Sequence, residues 1–374
     1  MDSLQYSANV CITPANLMRL FKQPKFWIAM AVAFPCGIVG GGLRAYQTYT
    51  SDTTLQSVIT NNAPYETLTF VAAFLSAFRI QAAYSKFWEG CDHAYNIVGD
   101  FFDTSADLVA YTRNSKAPPE EVDDFRQLII RLFSLLNSVV FAELETGVQR
   151  NLDDKSGKTP TAYTFELLDI AGIEESCIDT LINTENKVEL VYHWIECVII
   201  EAWHKKIFSV DPPIMTRSLM DLSHGIEHFH EAQKITEVPF PFPYQMALQS
   251  VLIMHWMITP IVTASWTDYY VACAFLCVTG VFSMWFFVGI AMDLDQPFSF
   301  TQNSIDVRYL QKLLNHRLLS LLQAAKHGPP TLSKTVRRTM SRKSMKEEPG
   351  SQSSTGGGLI EMHQRRTKAA GGEA

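Results

Sequence analysis

Charge is scarce in this sequence. Asp, Glu, Lys and Arg together make up 18% of its 374 residues, against the roughly 25% usual for a soluble globular domain. Mean hydropathy is nevertheless close to zero. The apolar residues, 47% of the chain, must therefore gather in a few segments and leave the remainder wet. A basic surface is missing too. The net charge is −7, which argues against nucleic acid as the main partner, because phosphate binding needs a basic face. The seven cysteines, Cys11, Cys36, Cys91, Cys177, Cys197, Cys273 and Cys277, are scattered and contain no CxxC. That pattern suggests neither a disulfide framework nor a zinc site, and most of these thiols are expected to act as small apolar fillers. The N-terminal stretch has no basic n-region leading into an apolar h-region and lacks the Arg/Ser richness of a transit peptide, so no cleaved targeting segment is legible there. No GxSxG, P-loop or dinucleotide fingerprint occurs. Strand-like alternation is hardly present, and an all-helical protein is what remains.

Long uncharged runs are present. Phe26 to Leu43 carries no charged residue over 18 positions, close to the roughly 20 helical residues that cross a hydrocarbon core. Pro35 and the run Gly40, Gly41, Gly42 suit a membrane helix packed closely on a neighbour. A second span starts at Pro64 and ends near Ala82; it contains Glu66 and Arg79, so one side faces protein or water. Pro239 to Trp266 and Tyr269 to Met292 contain no Asp, Glu, Lys or Arg and form a third and fourth span, a hairpin closed by Thr267 and Asp268. Four spans put both termini on one side. Arg19, Lys22 and Lys25 precede the first, and Arg308, Lys312 and Arg317 follow the fourth. By the positive-inside tendency that side is cytoplasmic.

The resulting organisation is a cytoplasmic N-terminus over 1–25, two spans over 26–82, a cytoplasmic helical region over 83–238, two spans over 239–292, an acidic segment and helix over 293–327, and a basic tail over 328–374. In the cytoplasmic region a helix opens at Pro118, Pro119 and Glu120, with Phe125, Leu128, Ile129, Leu132, Phe133, Leu136 and Val140 at helical spacing. Glu185 to Phe208 forms another, and a third follows Pro212 and Pro213. The tail is rich in Gly, Ser and Pro and carries KTVRRTMSRKSMK, Lys334 to Lys346. It reads as a solvated linker, or as a site for phosphorylation at Thr339, Ser341 or Ser344 or for attraction to anionic lipid.

AFRIQAAYSKFWEG, Ala77 to Gly90, resembles the segment of bestrophins in which the pore helix leaves the membrane. Pro64 stands fifteen residues before Arg79, PFPFPYQMAL from Pro239 resembles the opening of the family's third span, and DLDQPFSFTQNSIDV, Asp293 to Val307, resembles the acidic Pro-Phe segment after its fourth. The likeness runs in order over Phe21 to Leu322. It implies a homopentameric ion channel in the lipid bilayer, mostly selective for small anions such as chloride, with bicarbonate or nitrate as further permeants. One central pore would be lined by the second span and its cytoplasmic extension, in a plasma or thylakoid membrane.

Carried over by the proline register, the resemblance places Ala63, Thr67 and Val71 in the pore neck, where relatives commonly hold bulky apolar side chains. Glu66 then borders the outer mouth, or stabilises the first helical turn. Five such carboxylates would favour cations, so a cation-permeable channel of the same fold stays open. Phe74 and Phe78 continue the face towards the cytoplasm, as ring edges for an anion or as core. Arg79 is either an anion-attracting charge or half of an inter-helix ion pair with Glu89. The cytoplasmic aperture of the family falls at DPPIM, on Pro213 or Ile214. The resemblance also implies a calcium clasp, whose oxygen donors here are Asp293, Asp295, Asn303 and Asp306. The dense acidic run of that clasp is absent, so calcium gating does not transfer; Asp306 alternatively caps the following helix, Ile305 to Leu322. A reading of another class is a membrane metalloenzyme, resting on HGIEHFH, in which His224 and His228 share a helix face at metal-pair spacing beside His230.

Overall fold

The computed structural model describes Phe21, residues 23–50, Asn61, and residues 63–152, 167–168, 172, 174–299, 304–327 and 330. Asn303, Thr339, Ser341 and Ser344 lie outside the described residues, and so do the expectations attached to them. The packing reported below belongs to the first of two compact units, Met1–Lys326; the second, His327–Ala374, is described only at His327 and Pro330.

Among the described residues the chain is all helix, without a strand: α1 Pro24–Thr50, α2 Ala63–Tyr111, α3 Pro119–Leu152, α4 Glu175–Asn183, α5 Lys187–His204, α6 Pro212–Glu237, α7 Phe242–Trp266, α8 Tyr270–Leu294 and α9 Val307–His327. Prolines stand at the starts of α2, α3 and α6, where the missing N–H is one the helix could not use and φ is already helical. The 49 residues of α2 run without interruption, and at 1.5 Å per residue they reach about 73 Å. The expected second span and the helical stretch that follows it are one rod.

Among the described residues five helices are long and apolar enough to cross a membrane: α1, α2, the Pro119–Glu145 part of α3, α7 and α8. The third of these was not among the spans expected from sequence. Its apolar window is 78% buried by the protein itself, against 22–39% in the other four. The apolar character of α3 is thus satisfied by partners, with Phe133, Leu136, Val140 and Phe141 packed against Phe101 of α2, Ile195 and Ile199 of α5, Phe229 of α6, and Leu310 and Leu314 of α9. Inside this core Asn137 Nδ2 donates to Gln311 Oε1 at 2.6 Å and Ser134 Oγ to Asn315 Oδ1 at 2.7 Å, fixing α9 on α3.

The other layer is built from α1, α7 and α8, with α1 most extensively packed on α8. Small residues permit this. A Cβ on Gly40 would meet Cys277 Sγ at 2.6 Å, and one on Gly41 would meet Ala274 Cβ at 3.1 Å. Cys36, Cys273 and Cys277 are buried among Ala33, Ala264 and Val281, as filler thiols should be. Trp256 Nε1 donates to the Val32 carbonyl at 3.0 Å and pins α7 to α1.

Candidate functional site

The N-terminal half of α2 has two unlike sides. Ala72, Ser76, Arg79 and Ala83 are buried against the protein. The opposite side exposes Ala63, Glu66, Thr67, Phe70, Val71, Phe74 and Phe78, residues three, four and seven apart that share one face of a helix. All of the expected neck residues fall on this face. Phe70 was missed from sequence although its spacing from Thr67 and Phe74 is helical. It is 70% exposed, Phe74 62% and Val71 38%, so the centre of the face runs through Phe70 and Phe74, with Val71 at its edge. Phe70 and Phe74 stack with centroids 6.4 Å apart. Core packing, the alternative held open for Phe74 and Phe78, is not their place in the protomer. Thr67 Oγ1 donates to the Ala63 carbonyl at 2.8 Å, so its proton is turned inward and the face receives the methyl group and an acceptor oxygen.

Arg79 is not on that face, and its partner is not Glu89. The residue is 3% exposed. Its Nη1 and Nη2 reach Asp295 Oδ1 and Oδ2 at 3.4 and 3.0 Å, and its guanidinium lies 4.1 Å from the Phe240 ring centroid. Lys86 Nζ adds a second cation 3.8 Å from Asp295 Oδ1 while donating to the Val238 carbonyl at 3.0 Å. The arginine clamps α2 to the end of α8; as a pore-flanking charge it is corrected to a structural one. Behind the neck, Tyr65 Oη lies 3.1 Å from Thr259 Oγ1 and stacks on His255 at 5.7 Å, which holds the start of α2 on α7.

At the other end of α2, Pro213 and Ile214 are exposed on the first turn of α6. Tyr111 Oη lies 3.4 Å from the Ile214 carbonyl, and Ser209 N donates to the Tyr111 carbonyl at 2.9 Å, tying this turn to the end of the long helix.

The acidic segment does not fit calcium. A calcium ion takes six to eight oxygens, several of them free carboxylates. Here Asp293 pairs with Lys25 at 3.4 Å, Asp295 with Arg79 and Lys86, and Asp306 Oδ1 accepts from Tyr309 N at 2.9 Å as the cap of α9. Three of the expected donors are thus committed elsewhere and do not converge. The histidines of HGIEHFH do not converge either. His228 meets His93 of α2, and His230 lies 3.8 Å from Glu189 of α5. Among the described residues no group of three or more His, Cys, Asp or Glu is arranged around a metal.

The family described as Bacterial/Fungal Bestrophin protein matches residues 15–320. No curated protein matches the chain. Two crystal structures of a bacterial bestrophin homolog from Klebsiella pneumoniae, each with a single substitution, are similar in fold. One is 17% identical with a TM-score of 0.61, covering 79% of this chain and 98% of that one. The other is 18% identical with a TM-score of 0.61, covering 80% and 99%. A crystal structure of a membrane protein reaches a TM-score of 0.62 at 17% identity, over 80% of this chain and 99% of that one. At such identities the structures speak for the fold, and the family match carries the rest. With its helices long and apolar enough for a bilayer and its unbroken α2, the chain is a member of the bestrophin family of ion channels, in the bacterial and fungal branch.

Proposed function

We propose that the chain is one subunit of a homopentamer in which the N-terminal half of α2 lines a central aqueous pore, passing chloride, and bicarbonate or nitrate, down their gradients. The observation that carries this reading is the exposed face of α2, whose aromatic and small side chains stay largely open in the protomer although the opposite side is tightly packed. A ring of copies around water gives that face a common environment, and polar backbone and side-chain groups are tolerated at membrane depth where they line such a path. α1, the first half of α2, α7 and α8 cross the bilayer, with both termini cytoplasmic or stromal; the self-buried α3 does not. The membrane is the plasma or thylakoid membrane.

Ala63, Thr67 and Val71 form the neck. Hydrophobic constrictions gate by dewetting, and side chains this small make a wide ring with a weak barrier. Phe70, Phe74 and Phe78 follow, offering ring edges whose partial positive charge suits an anion. Pro213 or Ile214 forms a second aperture at the cytoplasmic exit. Passage down a gradient requires no covalent step.

A cation-permeable pore is the second reading, favoured by one contrast. Glu66 is exposed at the start of the face, whereas Arg79 is sequestered on Asp295 and adds no charge to it. Reversal potentials of reconstituted channels under asymmetric potassium chloride separate the two. Reversal near the chloride equilibrium potential supports the anion reading; reversal near that of potassium replaces it with the cation reading.

A further inference from the structure

α2 and α6 also meet in a cluster of imidazoles and carboxylates that the pore does not use. His93 and His228, 135 residues apart, approach with Nδ1 to Nδ1 at 3.2 Å. On the far side of the second ring, His228 Nε2 lies 3.7 Å from Asp100 Oδ2. That oxygen is buried and has no hydrogen-bond partner. Gly225 fixes the spacing: a Cβ there would meet Phe101 Cε1 at 2.6 Å and Asp100 Cβ at 3.4 Å, so α6 rides directly on the turn that carries Asp100. One proton between the two Nδ1 atoms satisfies them; when His228 is the donor its Nε2 is bare and the Asp100 oxygen is unanswered, and when His93 is the donor the His228 Nε2–H faces that oxygen from 3.7 Å, beyond hydrogen-bond length.

A tetrahedral zinc ion holds imidazole nitrogens at about 2.0–2.1 Å, which sets two of them about 3.3 Å apart. The observed Nδ1 separation is 3.2 Å. A metal-bound histidine also gives its other ring N–H to a carboxylate, which fixes the tautomer and the ring, and Asp100 stands beside that nitrogen of His228.

We propose that His93 and His228 form a binding site for one divalent transition-metal ion of the zinc class, with Asp100 as a positioning residue and water filling the remaining coordination. The side chains of His228 and Asp100 are 31% and 27% exposed, which leaves a path for the ion and its waters. Two nitrogen donors select zinc-like metals over calcium or magnesium, which prefer oxygen. No third protein ligand converges among the described residues, so the site is open and suits reversible occupancy. The bound ion ties the cytoplasmic half of α2 to α6. By linkage, any conformational change that parts the two histidines weakens the metal, and the metal opposes that change equally. The site is independent of which ion the channel passes.

Calorimetric titration of the untagged full chain with zinc chloride at neutral pH is expected to give one ion per chain at micromolar affinity. His93→Ala and His228→Ala each weaken this about tenfold or more, Asp100→Asn by about tenfold, and His230→Ala leaves it unchanged. X-ray absorption of the zinc-loaded wild-type chain is expected to show two imidazole nitrogens near 2.0 Å, and it decides the matter even where an alanine variant does not fold. No binding, undiminished binding to the folded His93→Ala and His228→Ala variants, or a zinc spectrum with sulfur or without imidazole overturns the proposal.

Discussion

Thr67 shows how much depends on side-chain size at one level of α2. Its hydroxyl is turned onto the Ala63 carbonyl, so it contributes little bulk to the exposed face. Thr67→Phe narrows the proposed ring and raises the dewetting barrier; single-channel current is expected to fall several-fold, and an unchanged current would remove Thr67 from the neck. Arg79 makes the opposite case, a charge held for structure. Asp295→Asn leaves a guanidinium with 4% side-chain exposure without its counter-ion, at a cost of about 3 kcal/mol or more. The thermal midpoint in detergent should drop by several degrees, while Arg79→Met combined with Asp295→Leu is milder because the buried guanidinium is gone and only the more exposed Lys86, still bonded to the Val238 carbonyl, loses a counter-ion. Glu145 in α3, 6% exposed, is pushed up to about 7 by burial, with Arg308 opposing and Asp306 adding to the shift. The folded chain therefore holds a proton that the unfolded chain releases near 4.5, and stability falls as pH rises between those two values. Glu145→Gln removes the loss; its stability should match wild type below about pH 4 and exceed it at about pH 8, by on the order of 2 kcal/mol. At this scale helical spacing, which is local, put Ala63, Glu66, Thr67, Val71, Phe74 and Phe78 on one α2 face, although Phe70 at its centre was missed. It could not show that Arg79 reaches Asp295, 216 positions away, or that His93 pairs with His228, because only tertiary packing makes those neighbours.

Among the elements, the long rod and the close pairing of α1 with α8 carry most of the architecture. The resemblance implied the rod, and the uncharged runs with the Gly40–Gly42 stretch suggested close packing of α1 on a neighbour, although the helices extend beyond the expected bounds, α1 to Thr50 and α9 to His327. The ends were blurred because hydropathy falls at the membrane surface while the hydrogen-bonded helix continues. α3 was harder. A buried core helix and a membrane helix look alike in composition, and only the packing of Phe133, Phe141 and their neighbours tells them apart. Gly40→Leu tests the pairing, since a side chain there would push into Cys277 and Pro260. Overpacking of this kind costs about 1–3 kcal/mol, and the variant should lose detergent-stable assembly by size-exclusion profile. Gly42, with no atom within 4 Å of a Cβ, tolerates alanine.

For the whole molecule, the protomer leaves one α2 face largely open, and the proposed ring of subunits gives that face a place. Subunits of one kind arranged about an axis would turn Ala63, Thr67, Phe70 and Phe74 towards shared water and would bring five copies of Glu66 to the outer rim. The most direct measurement is aqueous thiol accessibility in reconstituted channels carrying Ala63→Cys, Thr67→Cys or Val71→Cys, with buried Ala72→Cys as the control. Charged methanethiosulfonate reagents are expected to modify the first three from the water side and change the current, and to leave the fourth untouched. If all four stay unmodified and the current is constant, α2 does not line the pore.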